Sequence, residues 1–214
     1  MGPMRNGRLR FLDRVVLAFD PAAHVYTWNR QYVPNVTRVL APLTSYDRIP
    51  EHILEHARQE GVAVHKLVEL DCYGDLDVET LPEWMTGHYK AWKQFLADTG
   101  FEFIASEHRV FHPEFKYAGT LDLAGHMPHA KAKGTSLIDV KRSFFAGASI
   151  GLQLSAYAAA WDKAHAAALK IKNRFALKLS ADGTYRLQPY EDPNDFSVFL
   201  SLLTIERWKA KHGK

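Results

Sequence analysis

The chain has 214 residues, of which 47% are hydrophobic and 24% are charged, and this balance predicts one compact globular domain with its own core. A formal net charge of +3 allows a polyanionic partner to bind at a local basic patch but does not require one. The single cysteine excludes an internal disulfide and any zinc or iron–sulfur site built from several cysteines.

The composition also predicts a soluble protein of a reducing compartment. No apolar run reaches the roughly 18 residues that a membrane-spanning helix requires. The first residues, MGPMRNGRLR, lack the apolar core of a signal peptide. A chain whose only cysteine is Cys72 suits the cytoplasm. We therefore expect a cytoplasmic protein without a membrane partner.

The first hundred residues predict a hairpin followed by helices. The apolar and then alternating pattern of residues 14–27 predicts a β-hairpin. A short helix is expected next, with its N-cap near Asn35 or Thr37. Two longer helical patterns follow, one beginning at Pro50 and one covering residues 82–97.

The rest of the chain predicts the central sheet. Three strand-like runs fill residues 101–143, and an alanine-rich helix begins near Ser149. A hairpin at residues 171–190 and a last helix at about 195–209 complete the order. We predict an α/β fold with a central mixed β-sheet flanked by helices, in which a hairpin and helical region (about 1–100) precedes the core sheet (about 101–190).

Charged residues interrupt two of the apolar strands. In LIDVKRS, Asp139 and Lys141 stand two apart and share one face of the strand. In the preceding strand, Leu121 and Leu123 are expected to point one way and Asp122 the other. Two carboxylates on adjacent strands can hold a hard divalent ion such as Mg²⁺. The alternative is that Asp139 and Lys141 form only an ion pair at a strand end.

Further polar residues recur at fixed spacing around these strands. His65 follows Gly61 by four residues on the long helix, and Glu107 lies in the first strand of the sheet. Gln153 and Tyr157, four apart, share one face of the alanine-rich helix. With Gly119 to Asp122 and Asp139 to Lys141, they reproduce the motif order GxxxH, strand Glu, GxxD, DxK and QxxxY.

In this order the chain resembles the RecB-like branch of the PD-(D/E)XK nuclease superfamily, including phage and mitochondrial genome-maintenance exonucleases. The resemblance covers roughly residues 25–190, and the segment VPNVTRVL is similar to the one that precedes the first motif in those exonucleases. It implies one nuclease domain over residues 1–214 with a restriction-endonuclease-like core.

The resemblance also implies a metal centre that binds one or two Mg²⁺ or Mn²⁺ ions. Asp122 and Asp139 would be ligands, helped by the Val140 carbonyl and a ring nitrogen of His65. Histidine among oxygen ligands is compatible with Mn²⁺ as well as Mg²⁺. Glu107 would bind a second ion or orient water, and a solvated strand glutamate is its alternative.

The remaining motif residues would act on the substrate. Lys141 would position the attacking water and stabilise charge on the phosphate oxygens. Gln153 and Tyr157 would hold the scissile phosphate or a neighbouring nucleotide, unless they form only the polar face of a helix. The basic loop between the two metal-bearing strands carries Lys131 and Lys133, which are candidate contacts to the DNA backbone.

These roles predict a metal-dependent DNA exonuclease of recombination, repair or replication. Its small size fits a phage-encoded enzyme in a bacterial or phage-infected cell, and a single-strand annealing or binding protein is a candidate partner. No Walker-type glycine loop occurs, so ATP is not expected. Two alternatives are an endonuclease of the same superfamily and a catalytically inactive DNA-binding module on the same fold.

Overall fold

The computed structural model describes residues 17–43, 49–142, 147 and 149–213. The start of the predicted hairpin, residues 14–16, and Ser143 at the end of the LIDVKRS strand lie outside these ranges. Among the described helices, none combines the length and the apolar character that a membrane span requires.

A small antiparallel sheet opens the described chain. Strands β1 (Leu17–Asp20) and β2 (Val25–Trp28) form the predicted hairpin, and a third strand, β3 (Gln31–Val33), adds to β2. The sequence pattern did not predict β3. Helix α1 (Val36–Leu40) follows, and the Asn35 side chain caps it by accepting a hydrogen bond from the Arg38 N–H at 2.7 Å.

Two long helices come next. Helix α2 covers Glu51–Tyr73 without a break at Gly61, and its buried residues, Val64, Leu67 and Val68, all lie in its second half. Helix α3 covers Thr86–Thr99 and begins after a 3₁₀ turn at Glu83–Met85, so it starts four residues later than predicted. Both helices end at a glycine in the left-handed conformation, the usual helix terminator.

The central sheet has five strands in the order β4-β5-β6-β7-β8. Its strands and the two helices that accompany them are β4 (Glu102–His112), β5 (Tyr117–His126), β6 (Thr135–Lys141), α4 (Ser149–Ala164), β7 (Ile171–Leu179), β8 (Tyr185–Pro189) and α5 (Asp195–His212). Strands β6 and β7 pair in parallel, with α4 as their crossover, and the other neighbours pair antiparallel. The predicted mixed sheet flanked by helices is confirmed.

Helices cover both faces of this sheet. Helices α1, α4 and α5 enclose one core with Leu137 and Ala176, whereas α2 and α3 enclose the other with Ile138 and Leu177. Strands β6 and β7 therefore alternate between two buried faces, which explains their nearly continuous apolar sequence.

Strand β5 departs from the expected alternation. Leu121 packs in the core with α4 and Leu123 packs in the core with α2, so the prediction that both leucines face one side is wrong. The physical reason lies in the pairing, because the ladder between β5 and β6 stops at Leu123 and Ile138. Beyond this point β5 keeps its ladder with β4 but has none with β6, and its face can change at Asp122.

Candidate metal and phosphate site

The two central strands separate where the acidic residues lie. Past the last pair, Leu123 and Ile138, the Asp122 side chain takes the place of a strand neighbour: its Oδ2 accepts a hydrogen bond from the Val140 N–H at 2.7 Å. This separation opens a cleft of about 240 Å³ that both Asp122 and Asp139 line.

Asp139 is held on both sides within this cleft. Its side chain is only 3% exposed, Lys141 Nζ lies 2.7 Å from Oδ2, and Gln153 Nε2 donates to Oδ1 at 3.2 Å. Burial raises the pKa of Asp139, with the Asp122 charge acting in the same direction and the Lys141 ammonium opposing both. The predicted ion pair exists, but its carboxylate is buried beside a second carboxylate, whereas the Lys141 side chain is 31% exposed.

His65 lies between the Val140 carbonyl and two carboxylates. Its Nε2 is 2.9 Å from Val140 O, and its Nδ1 is 3.4 Å from Glu107 Oε1 and 3.6 Å from Asp122 Oδ2. Burial lowers the pKa of His65, but the charge of Asp122 and the hydrogen bond to Glu107 outweigh it and raise the pKa to about 9. At neutral pH the ring is therefore an imidazolium, which can donate a hydrogen bond from each of its nitrogens.

Glu107 has an unusual backbone conformation. It is a non-glycine residue with φ of 47°, although it lies within β4. Its neighbours Ser106 and His108 pair with Leu123 and Leu121, so Glu107 stands opposite Asp122. A left-handed residue inside a strand costs free energy and is often found at functional sites. Here it places the carboxylate against His65.

The donor atoms fit a hard divalent cation. One ligand atom each from His65, Glu107 and Asp122 lies within 4.8 Å of the others. The Val140 carbonyl oxygen contacts the His65 ring. Asp139 is a further carboxylate that lines the cleft. Oxygen donors with one imidazole match Mg²⁺ and Mn²⁺ preferences. Glu107 thus belongs with His65 and Asp122 to the group whose ligand atoms lie near one another. The Asp139 carboxylate instead contacts Lys141 and Gln153.

Tyr157 closes the cleft from helix α4. Burial, with the charges of Asp122 and Asp139, raises the pKa of Tyr157 well above its ordinary value, although the nearby Gln153 side chain acts in the opposite direction. The hydroxyl therefore stays protonated and remains a hydrogen-bond donor. The ring packs on Gly119, where a Cβ atom would stand 2.5 Å from Tyr157 Cε1. The glycine of the GxxD motif is thus required by close packing.

The two motif glycines should respond differently to alanine. Gly119→Ala forces the buried Tyr157 ring to move, and we expect a loss of about 1–3 kcal/mol in the free energy of unfolding. At Gly61 an added Cβ meets nothing within 4 Å, so Gly61→Ala should leave stability unchanged or raise it by up to about 1 kcal/mol. Urea denaturation of both variants measures the difference. Equal stability of the two would contradict the packing of Tyr157 on Gly119.

Lys131 and Lys133 are not brought to this cleft. They are exposed in the loop between β5 and β6, at the end of the hairpin away from the acidic residues. Asp139 lies four positions beyond Thr135, the first residue of β6, which at about 3.3 Å per residue separates the loop from the cleft by on the order of 13 Å. Contact of these lysines with DNA stays a prediction.

Other residues line the cleft although the sequence did not predict them as site residues. The Tyr26 hydroxyl on β2 is 2.6 Å from Thr120 Oγ1, and both residues line the cleft. Asn35 lines it too, at the cap of α1. Alternation could place Tyr26 on one face of a hairpin, but it could not show that this hairpin packs beside β5.

No protein-family model matches the chain, and a search of curated proteins finds no significant match. The family resemblance therefore rests on the motifs themselves. Their polar residues line one cleft although they come from separate elements of the chain: His65, Glu107, Asp122, Asp139, Lys141, Gln153 and Tyr157.

Proposed function

We propose that this protein is a Mg²⁺- or Mn²⁺-dependent deoxyribonuclease of the RecB-like branch of the PD-(D/E)XK superfamily, acting as an exonuclease. One observation supports it above all: the polar residues of all five sequence motifs are separated along the chain and line one cleft. A chance set of spaced polar residues would scatter over the surface.

The residues divide into a metal-binding group and a phosphate-binding group. The first would hold the ion and consists of His65, Glu107, Asp122, Asp139 and the carbonyl of Val140. A bound Mg²⁺ or Mn²⁺ supplies a Lewis acid that polarises a phosphoryl oxygen and acidifies water. The positive charges of His65 and Lys141 partly offset those of the neighbouring carboxylates.

The phosphate-binding group stands on the other side of the cleft. Lys141 places its ammonium beside Asp139, where it can stabilise negative charge that develops on the phosphate oxygens. The Gln153 amide and the protonated Tyr157 hydroxyl can donate hydrogen bonds to a phosphate or to the next nucleotide. This arrangement supports phosphodiester hydrolysis in recombination, repair or replication.

The exonuclease activity is tested by the topology of the substrate. We expect linear DNA to be degraded much faster than the covalently closed circle of the same sequence, because an end-processing enzyme needs a free terminus. Agarose gels of both substrates over time give the comparison, and a nicked circle controls for torsional state. Equal cleavage of the closed circle and the linear form would favour an endonuclease.

Metal removal should abolish activity and change thermal stability together. We expect no cleavage in excess EDTA and full recovery with Mn²⁺, because the cleft alone has no means to activate water at neutral pH. Mn²⁺ should also raise the melting temperature, since an ion that binds only the folded state stabilises it.

The same melting experiment on Asp122→Asn provides the control, because this variant loses a ligand charge and should show little or no Mn²⁺-dependent shift. Cleavage that persists in EDTA would end the proposal. DNA binding without cleavage at any Mn²⁺ concentration would favour the inactive DNA-binding module.

A further inference from the structure

A larger cavity adjoins the cleft on the side of helix α2. It measures about 600 Å³ and shares His65, Glu107 and Thr120 with the cleft. Its other walls come from α2, from β1 of the N-terminal sheet and from β4, and this volume lies in the range of sites that hold a small organic group. Apart from His65 and Glu107, no residue of the metal-binding group or the phosphate-binding group lines it.

Gly61 leaves one wall of this cavity open. It lies on α2 four residues before His65, so both residues face the same side of the helix. An added Cβ at Gly61 would meet no atom within 4 Å, and the backbone there is ordinary helix. Neither packing nor a left-handed conformation therefore requires a glycine in the middle of this helix. The absence of a side chain at Gly61 leaves open space in the cavity, beside His65 of the metal-binding group.

A second wall carries one aromatic ring and a guanidinium, those of Phe19 and Arg109. The Arg109 guanidinium lies over the Phe19 ring at 5.2 Å from its centroid. Aromatic rings and arginine guanidinium planes are the surfaces on which unpaired nucleobases stack.

The rim of the cavity carries exposed cations next to carboxylates, since Glu69 and Glu107 line it together with Arg58 and Lys66. Arg58 and Lys66 lie on α2 with side chains that are 55% and 58% exposed, and their ion pairs with Glu55 and Glu69 are solvated ones. Exposed cations near the Phe19 ring and the Arg109 guanidinium match a nucleotide, whose phosphate stays near water while its base is covered. A base within a duplex has both faces covered by its neighbours, so it could not stack here.

We propose that this cavity binds one unpaired nucleotide next to the phosphodiester that is cleaved, with its base against the Arg109 and Phe19 pair and its sugar–phosphate backbone close to α2 at Gly61. The proposal rests on the proposed nuclease function and adds a positioning site to it. Gly61 and Phe19 act by placing the strand and do not touch the reacting atoms.

The test fills the cavity without disturbing the fold. Gly61→Leu adds a side chain in open space on a helix that leucine favours, and Gln59→Leu adds the same group to an exposed position of α2 that does not line the cavity. Binding of a labelled single strand of about ten nucleotides is followed by fluorescence anisotropy in EDTA. The KM for its cleavage is then measured with Mn²⁺.

We expect Gly61→Leu to weaken binding and to raise KM by at least about tenfold, the scale of one lost stacked base. Gln59→Leu should stay within about twofold of the wild type, and the melting temperature of Gly61→Leu should not fall. Phe19→Ala supplies an independent variant: a 2-aminopurine base near the cleaved end should be quenched in the wild-type complex and brighter in this variant.

Three outcomes separately test the nucleotide site, the unpaired state of its base and the nuclease function. If the wild type cleaves DNA while Gly61→Leu and Phe19→Ala behave as it does, the nucleotide site is wrong and the nuclease function stands. If a blunt duplex binds as tightly as the single strand and is weakened equally by Gly61→Leu, the base is not unpaired. If the wild type neither binds nor cleaves any DNA with Mn²⁺, the proposed function itself fails.

Discussion

Asp139→Asn should reduce the rate of DNA cleavage by at least about 10³-fold, or about 4 kcal/mol of barrier, while the protein stays folded. The substitution keeps the shape of a buried side chain and removes the charge that faces Asp122 and Lys141. An amide oxygen can still accept the hydrogen bond from Gln153. Single-turnover cleavage with Mn²⁺, together with the melting temperature, provides the measurement.

Asp162→Asn is the matched control for this variant. Asp162 is another hydrogen-bonded aspartate, which accepts from the Ile171 N–H at 2.8 Å, but it does not line the cleft. Its cleavage rate should therefore match the wild type. If Asp139→Asn retains more than about a tenth of the wild-type rate, which is under about 1.4 kcal/mol of barrier, Asp139 serves only its ion pair with Lys141.

The structure also shows why asparagine is preferable to alanine at Asp122. The carboxylate accepts the hydrogen bond of the Val140 N–H where β5 and β6 separate. Asp122→Ala would leave this buried donor unsatisfied at a cost of about 1–3 kcal/mol of stability, in addition to any loss of metal binding. A loss of activity in that variant would mix two causes, whereas Asp122→Asn keeps an acceptor.

Local patterns were sufficient to predict most of the fold. The hairpin of β1 and β2, the Asn35 cap and the pairing of β5 with β6 depend on residues close in sequence, and the structure has all three. The position of Asp139 beside Lys141 followed from strand geometry alone, because residues two apart share a face.

Features that depend on distant parts of the chain could not be predicted. Leu121 and Leu123 enter different cores because β6 leaves β5 at Asp122, and an alternation rule assumes that the ladder continues. The left-handed φ of Glu107 is equally invisible in a strand-like sequence. The cavity beside the cleft joins Phe19 to Gly61, which are far apart in the chain and meet only through tertiary packing.

Lys141 and Tyr157 should separate the chemical step from substrate placement. Lys141→Ala removes the ammonium nearest to Asp139, and we expect the single-turnover rate to fall by about 10² to 10³ with DNA affinity little changed, as for the loss of one electrostatic stabiliser. Lys172→Ala removes an exposed lysine from β7, outside the residues that line the cleft, and should have no effect on the rate. A similar loss of the single-turnover rate in both lysine variants would show that the rate depends on the overall positive charge and not on the position of Lys141.

Tyr157→Phe should have a much smaller and different effect. The ring remains packed on Gly119, and only the hydroxyl that faces Gln153 and the carboxylates is lost. If this hydroxyl donates to a phosphate or to the next nucleotide, its removal should cost about 1 kcal/mol, measured as weaker DNA binding or shorter processive runs. Because burial and the nearby carboxylates keep the hydroxyl protonated, Tyr157 is not available as a general base near neutral pH. A single-turnover rate that falls as far as in Lys141→Ala, with affinity unchanged, would instead place Tyr157 in the chemical step.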